Sequence, residues 1–285
     1  MNKSQLVKKI LLRDLSTQLS SIVLLTWFIL SLLPQISDDW REIEINLPKT
    51  RLPPNFVLTE PLGWFGYDSV GASVFLQILN GANTSILVGL TTVALCLLVG
   101  IPLGAFAALN RGWIDLIISR AMDILLSFPP LVLPITLTFF MGGGLFNTVL
   151  ALSLGGWIGS AKVIRGEFRS LNRREFVEAA RAMGASQWRI IVRHLLPHAA
   201  APILIQSTFA LAGVILAEAG LSFLGLGLGE GYVSWGTLLS EARSYLLESP
   251  HLAIFPSLAL LSVVLSLNFL AESLRLALDP KAKSL

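Results

Sequence analysis

Few side chains in this 285-residue sequence could do chemistry. His194 and His198 stand four apart, a spacing that can put two imidazoles on one helical face for a metal. Pro197 lies between them at an expected helix join, so they read as ordinary loop histidines. Glu218 is isolated in an apolar run, which makes its carboxylate a candidate for substrate contact or gating. Its plainer use would be hydrogen bonding to the glycine-rich segment that follows. Arg120 with Asp123, and Glu272 with Arg275, have the i, i+3 spacing of pairs within one helix. Cys96 is the single cysteine and lies in an apolar run, where packing is its usual role. The sequence has no G-x-x-x-x-G-K-[ST] and no Gly-Lys dipeptide, so ATP binding through a P-loop is not expected. It has no H-E-x-x-H and no cysteine cluster. Gly225-Leu226-Gly227-Leu228-Gly229 is too regular for a nucleotide loop. No catalysis, bound cofactor or metal, and no nucleic-acid binding, is expected of this chain.

The elements that position these residues follow from composition. Hydrophobic residues make up 54% of the chain and charged ones 14%, with a mean hydropathy of +0.71. Soluble domains carry about 25% charge. So much apolar surface has no place in one soluble core, and an integral, lipid-embedded membrane protein is expected. The first apolar run is too long for a cleaved leader and reads as an anchor.

The fold expected is all-α, with six transmembrane helices and both termini cytoplasmic. Residues 15–37 carry no charge and suffice for one span. Residues 38–68 are acidic and proline-rich, an external loop with a strand about 42–46. The uncharged stretch 69–110 is too long for one span. It divides into an interfacial helix, 72–81, and a second span, 84–109. Gly100 and Gly104 there have the spacing of close helix contacts. A third span, 116–141, is kinked at Pro129, Pro130 and Pro134. The fourth and fifth cover 145–163 and 194–217. An irregular glycine-rich outer segment, an outer amphipathic helix after Trp235, and a sixth span, 251–271, complete the chain. Seventeen of the 21 Lys and Arg fall on the inner side of this arrangement, as the positive-inside bias requires.

One charged stretch breaks the apolar pattern: Glu175 to Pro197, EFVEAARAMGASQWRIIVRHLLP. It reads as two short helices. Asn172 would cap the first, with Glu175 completing a capping box. Gly184 sits where a left-handed residue ends a helix, and Ser186 can cap the second. Phe176, Ala179, Ala180 and Met183 form one apolar side. Trp188, Ile191, Val192, Leu195 and Leu196 form the other helix's stripe. Pro197 breaks the pattern. Seven arginines, at 165, 169, 173, 174, 181, 189 and 193, place this knob in the cytoplasm. Its small residues would let another surface approach the backbone.

The run Glu178-Ala179-Ala180, then three residues, Gly184, and later Leu196-Pro197, resembles the cytoplasmic motif of ABC-importer permeases. The His-x-Leu-Pro ending, with His194, resembles the dipeptide, oligopeptide and nickel branch. Residues 80–85, Leu221-Ser222-Phe223-Leu224-Gly225-Leu226-Gly227, Ser234-Trp235-Gly236 and Leu278-Asp279-Pro280 are similar to further landmarks of that branch, in the same order. The resemblance departs at 61–72, where only Asp68-x-x-Gly71 survives, and at His198, which replaces an Asn.

The resemblance implies a type I importer permease in the bacterial cytoplasmic membrane. Its parts would be 1–37, the N-terminus and first span; 38–81, the external loop; 82–276, the transmembrane core with the coupling segment 164–197; and 277–285, the tail. It implies a second permease, two P-loop ATPases that use ATP, and an external solute-binding protein. Glu178, Ala179, Ala180, Gly184 and Pro197 would form the ATPase-docking segment. Peptides are the implied cargo, with nickel or another small solute as the alternative. From a different class, a stand-alone secondary transporter is weighed against few ionisable groups in the spans and no evident inverted repeat. A non-transporting scaffold that anchors ATPases would leave the glycine-rich outer segment without a use.

Overall fold

The structure is a computed structural model. It describes residues 15–36, 40, 43–56, 61–110, 112–229 and 231–278. The basic residues of the N-terminus, Arg111, Glu42 and the final two residues of Leu278-Asp279-Pro280 lie outside them.

Ten α-helices occur among the described residues. They are α1 (Leu15–Ile36), α2 (Val74–Leu109), α3 (Trp113–Leu126), α4 (Val132–Met141), α5 (Leu145–Leu171), α6 (Glu175–Ala182), α7 (Gln187–Ile190), α8 (Leu196–Phe223), α9 (Trp235–Ala242) and α10 (His251–Leu278). No strand occurs among the described residues. Residues 43–46, where a strand is expected, are irregular, and the isolated antiparallel bridge among the described residues lies elsewhere, Tyr67 to Ser73.

Four helical stretches are long and apolar enough to cross a membrane: Leu15–Ile36, Val74–Leu109, Gln187–Phe223 and His251–Leu278. The chain is thus a multi-pass membrane protein. The expected third span is two pieces, α3 and α4, separated by a break that contains Pro129 and Pro130. Proline lacks a backbone donor and restrains the residue before it, so paired prolines interrupt a helix. The expected fourth span is longer than 145–163. α5 runs on to Leu171 and carries Lys162, Arg165, Glu167 and Arg169 in its last part.

The expected division at 81–84 does not occur, and α2 is one 36-residue helix. Ser73 starts it by accepting the Leu76 N–H at 3.5 Å. The length that suggested two elements is taken up by one helix, whose polar residues point back onto backbone. Asn80 donates to the Leu76 and Trp40 carbonyls at 3.0 Å each, and Asn83 donates to the Ser31 carbonyl at 2.6 Å.

α2 and α5 make the tightest pair, as the small residues predicted. A Cβ on Gly100 would lie 2.6 Å from the Trp157 carbonyl oxygen, and one on Gly104 would lie 2.5 Å from that of Ala161. On the other side of α2, Gly89 admits Ile215 and Leu211 of α8. One core cluster joins Val74 and Ile78 of α2, Ala212 and Ile215 of α8, Trp235 of α9, and Val263 and Leu267 of α10. A second joins Ala105 and Ala108 of α2 and Ile164 and Phe168 of α5 to Val177, Ala180, Ile190, Leu195 and Ala199. That second cluster seats the knob on the bundle.

Candidate functional site

The knob is two helix ends joined by a glycine. α6 places Glu175 and Glu178 in its first turn, where carboxylates offset the positive end of the helix dipole. The expected capping box is absent. Arg174 is the N-cap and makes no side-chain cap bond, so Asn172 lies too early in the chain. Asn172 instead closes α5, and its side-chain oxygen accepts from the Arg181 guanidinium at 2.9 Å.

Gly184 has φ +79°, as its place in the motif required. Its N–H donates to the Arg181 carbonyl at 3.0 Å, and the Ala185 N–H donates to that of Ala180 at 3.1 Å. Those two bonds make a Schellman ending. Ser186 then caps α7, accepting the Arg189 N–H at 3.4 Å.

Pro197 does not stop a helix. α7 passes through a π-turn, Ile191–Leu195, into α8, with Pro197 in the first turn of α8. The wider turn accommodates the ring and the missing N–H of proline. The two histidines bracket this join. His198 Nδ1 shares a 2.7 Å hydrogen bond with the His194 carbonyl, and its ring stacks on Phe176 with centroids 5.0 Å apart.

The structure splits the apolar residues of the knob into two sets. Val177, Ala180, Ile190 and Leu195 are buried. Met183 is 82% exposed and Trp188 is 73% exposed, and Ala179 also faces outward. A Cβ on Gly184 would meet nothing within 4 Å. Of the sequence-predicted residues, Glu178, Ala179 and Gly184 therefore form an open tip with Met183 and Trp188. Ala180 belongs to the seat beneath, and Pro197 is exposed at the join rather than at the tip.

Glu218 is fully buried in α8. Its Oε1 accepts from Ser222 Oγ at 2.7 Å, and its Oε2 accepts from Ser85 Oγ of α2 at 3.1 Å. Ser85 Oγ in turn accepts the Trp235 N–H at 3.4 Å, and the Trp235 indole donates to the Ile78 carbonyl at 3.2 Å. Trp27 of α1 meets Trp235 edge-on at 5.2 Å. The carboxylate therefore ties α2, α8 and α9 together at the base of the glycine-rich segment.

The sequence reading missed a third group. Asp115, at the start of α3, accepts from Arg165 Nε at 2.7 Å and pairs with Arg169, both on α5. Burial alone would raise the Asp115 carboxyl. The hydrogen bond and charge of Arg165, then those of Arg169, outweigh it and hold the group below its ordinary range. No local spacing signals this trio, because it spans about fifty positions. The i, i+3 pairs are present: Arg120 with Asp123 at 4.0 Å and Arg275 with Glu272 at 2.8 Å. Ahead of α2, Asp68 Oδ1 accepts the Val70 and Ala72 N–H groups at 2.9 and 2.8 Å. The surviving Asp-x-x-Gly is thus the turn that delivers the chain to α2.

Residues 100–284 match the family described as binding-protein-dependent transport system inner membrane component. The chain is 40% identical over 221 residues to the glutathione transport system permease protein GsiD of Pectobacterium atrosepticum, covering 78% of this chain and 73% of that protein. It is 38% identical over 221 residues to the dipeptide transport system permease protein DppC of Alkalihalophilus pseudofirmus, with the same coverage. A putative peptide permease of Brucella ovis is 39% identical over 222 residues, covering 77% and 74% of the two chains. Among solved structures, an inward-facing MetNI methionine ABC transporter matches with a TM-score of 0.60 at 18% identity, over 71% of this chain and 97% of that one.

Proposed function

The chain belongs to the family of binding-protein-dependent transport system inner membrane components, and from that premise we propose that it forms half of the translocation pathway of an ATP-driven importer of short peptides. It is a permease subunit and not an enzyme, and ATP is hydrolysed by separate subunits. The importer contains a second permease, two P-loop ATPases and an external solute-binding protein. The chain crosses the bacterial cytoplasmic membrane six times, with both ends inside and the knob in the cytoplasm.

The observation that carries this reading is the open tip of the knob. Met183 and Trp188 are large apolar groups turned away from the bundle, around a glycine that meets nothing. An exposed apolar patch on a rigid seat is a surface for a protein partner. We assign the ATPase to it, with Glu178, Ala179 and Gly184 at the contact and Ala180 and Pro197 supporting it. The buried cluster from Val177 to Ile164 and Phe168 would carry an ATPase-driven movement of α6 into α5 and α2. Glu218 serves as a brace of the outer segment, because its carboxylate is consumed by two hydroxyl donors inside the packing. Peptide cargo is supported by the named relatives, all of them permeases for glutathione, dipeptides or peptides.

The test is purification of the chain from its native membrane with its partners. A second permease and two P-loop ATPases should accompany it. The reconstituted assembly with its binding protein should take up dipeptides in an ATP-dependent way. Uptake of Ni²⁺ and not peptide would reassign the cargo. A chain that transports alone, without ATP, would sink the importer reading.

A further inference from the structure

The glycine-rich segment between α8 and α9 is firmly held at its base and lightly held at its tip. At the base, Ser222 donates to the buried Glu218 carboxylate at 2.7 Å. The Gly225 N–H donates to the Ser222 carbonyl and the Leu226 N–H to the Leu221 carbonyl, both at 3.0 Å, which ends α8 in a Schellman turn. Residues 227–229 follow. Among the described residues, one backbone bond ties them to another element: the Gly144 N–H donates to the Gly227 carbonyl at 3.0 Å. One side chain anchors them. Leu228 is 1% exposed and joins Val88 of α2, Val149 and Leu152 of α5 and Leu221 of α8 in a buried cluster.

The partner in that bond is a second glycine turn, Gly142-Gly143-Gly144, between α4 and α5. The two turns meet backbone to backbone. A Cβ on Gly143 would lie 3.1 Å from the Gly227 carbonyl oxygen and 3.2 Å from Gly229 Cα. No side chains interlock across this contact, so the turns can part without dragging any past another. Gly225 and Gly229, on either side of Leu228, both have φ +77°. A Cβ on Gly225 would meet nothing within 4 Å, so glycine serves the backbone there and not a need for space. Irregular backbone in a membrane protein is tolerated where it is buried in protein or lines water. A cavity of about 460 Å³ lies against this segment, with Ser222, Tyr232, Thr237 and Ser240 in its walls. One buried side chain, one backbone bond and flanking glycines describe an element that opens locally while its surroundings stay folded.

We infer that residues 225–229 are a detachable plug. Leu228 lifts from its seat between α2, α5 and α8, the bond from Gly144 to Gly227 breaks, and the polar cavity joins the space between those helices. The base at Glu218 and Ser222 stays in place. Seated, the plug closes the outer mouth of the pathway between turnovers. The inference rests on the importer reading above and adds a moving part within this chain.

Cysteine accessibility gives the test. Leu228→Cys, in a chain whose own Cys96 is replaced by Ala, is assembled into the complete importer in right-side-out vesicles loaded with ATP. A membrane-impermeant maleimide is added outside, with and without the binding protein carrying L-Ala-L-Ala. Labelling should be slow at rest and rise severalfold during uptake. Val263→Cys, buried in the separate cluster around Trp235, should stay unlabelled in both states. A Leu228→Cys importer that takes up peptide while labelling no faster than at rest overturns the plug, whether its rate is slow throughout or fast throughout. The unmodified importer gives a second reading that needs no variant to assemble. Hydrogen exchange at the Gly144 amide should speed up severalfold during turnover, and unchanged exchange also overturns the plug. Absence of any ATP-dependent uptake by the unmodified importer overturns the importer reading itself, and the plug with it.

Discussion

Arg165 and Asp115 face each other across one end of the bundle, with Nε 2.7 Å from Oδ1, and Arg169 joins them from one turn further along α5. α3 is otherwise mostly exposed, with Met122 its one buried side chain among the described residues. The pair is thus the main polar anchor between α3 and the helix that leads into the knob.

Asp115→Asn should loosen that anchor. Charged hydrogen bonds contribute roughly 1.5–3 kcal/mol when shielded, and partial exposure of this trio reduces the expected loss to about 1–2 kcal/mol. The same group predicts a pH effect. Its folded pKa is lowered, so its stabilisation is present above the unfolded carboxylate value, near 3.9, and is lost as pH falls through the folded one. Thermal unfolding in detergent should show the variant below the wild type at pH 6 and the gap closing toward pH 3. A gap that is constant with pH would show that charge is not the cause.

Gly184→Arg should leave the protein inserted and assembled into its own fold, since nothing lies within 4 Å of the added carbon. The left-handed φ costs a non-glycine residue about 1–2 kcal/mol. Transport should be abolished, because the side chain fills the face proposed to receive the ATPase. Gly184→Ala carries the same backbone cost without the bulk and should keep part of the activity. Equal loss in both would point to strain rather than docking.

Gly100→Ala should behave differently, because its Cβ would press on the Trp157 carbonyl. Overpacking of this kind costs roughly 1–3 kcal/mol. Reduced expression and a lowered unfolding temperature are expected, with any surviving protein active. Wild-type stability would mean that α2 and α5 can move apart freely.

Glu218 separates bracing from substrate contact. Glu218→Gln keeps an acceptor for Ser85 or Ser222 and should retain most transport. Glu218→Ala leaves buried hydroxyls without their acceptor, at about 1–3 kcal/mol, and should lower stability and transport together. A Gln variant that is stable but selectively dead for transport would restore a direct role in gating.

Much of this protein could be read locally. The apolar runs marked the long helices, and the arginines marked the knob. Gly184 and Ser186 announced the turn and cap that the structure contains. Gly100 and Gly104 announced the contact between α2 and α5. These features depend on a few neighbouring residues, where backbone sterics and side-chain period decide the outcome.

The sequence misled where two local solutions were close in free energy. The uncharged stretch 69–110 looked too long for one helix, but α2 is continuous, and hydrogen bonds to backbone carbonyls hold its polar residues. Asn172 had the spacing of a cap, but α5 continued as far as Leu171 and used it as an ending. Pro197 looked like a stop, but a π-turn absorbed it.

By itself, then, the sequence determined the membrane class, the helical content and the position of the knob, because hydropathy, charge and capping act over a turn or two of chain. Tertiary structure alone decided which apolar face of the knob is buried and which is left exposed. It also brought Asp115 to Arg165, Ser85 to Glu218, and Gln206 against Gly159. Those residues are far apart in the chain, and only the packing of one helix on another sets the distance between them.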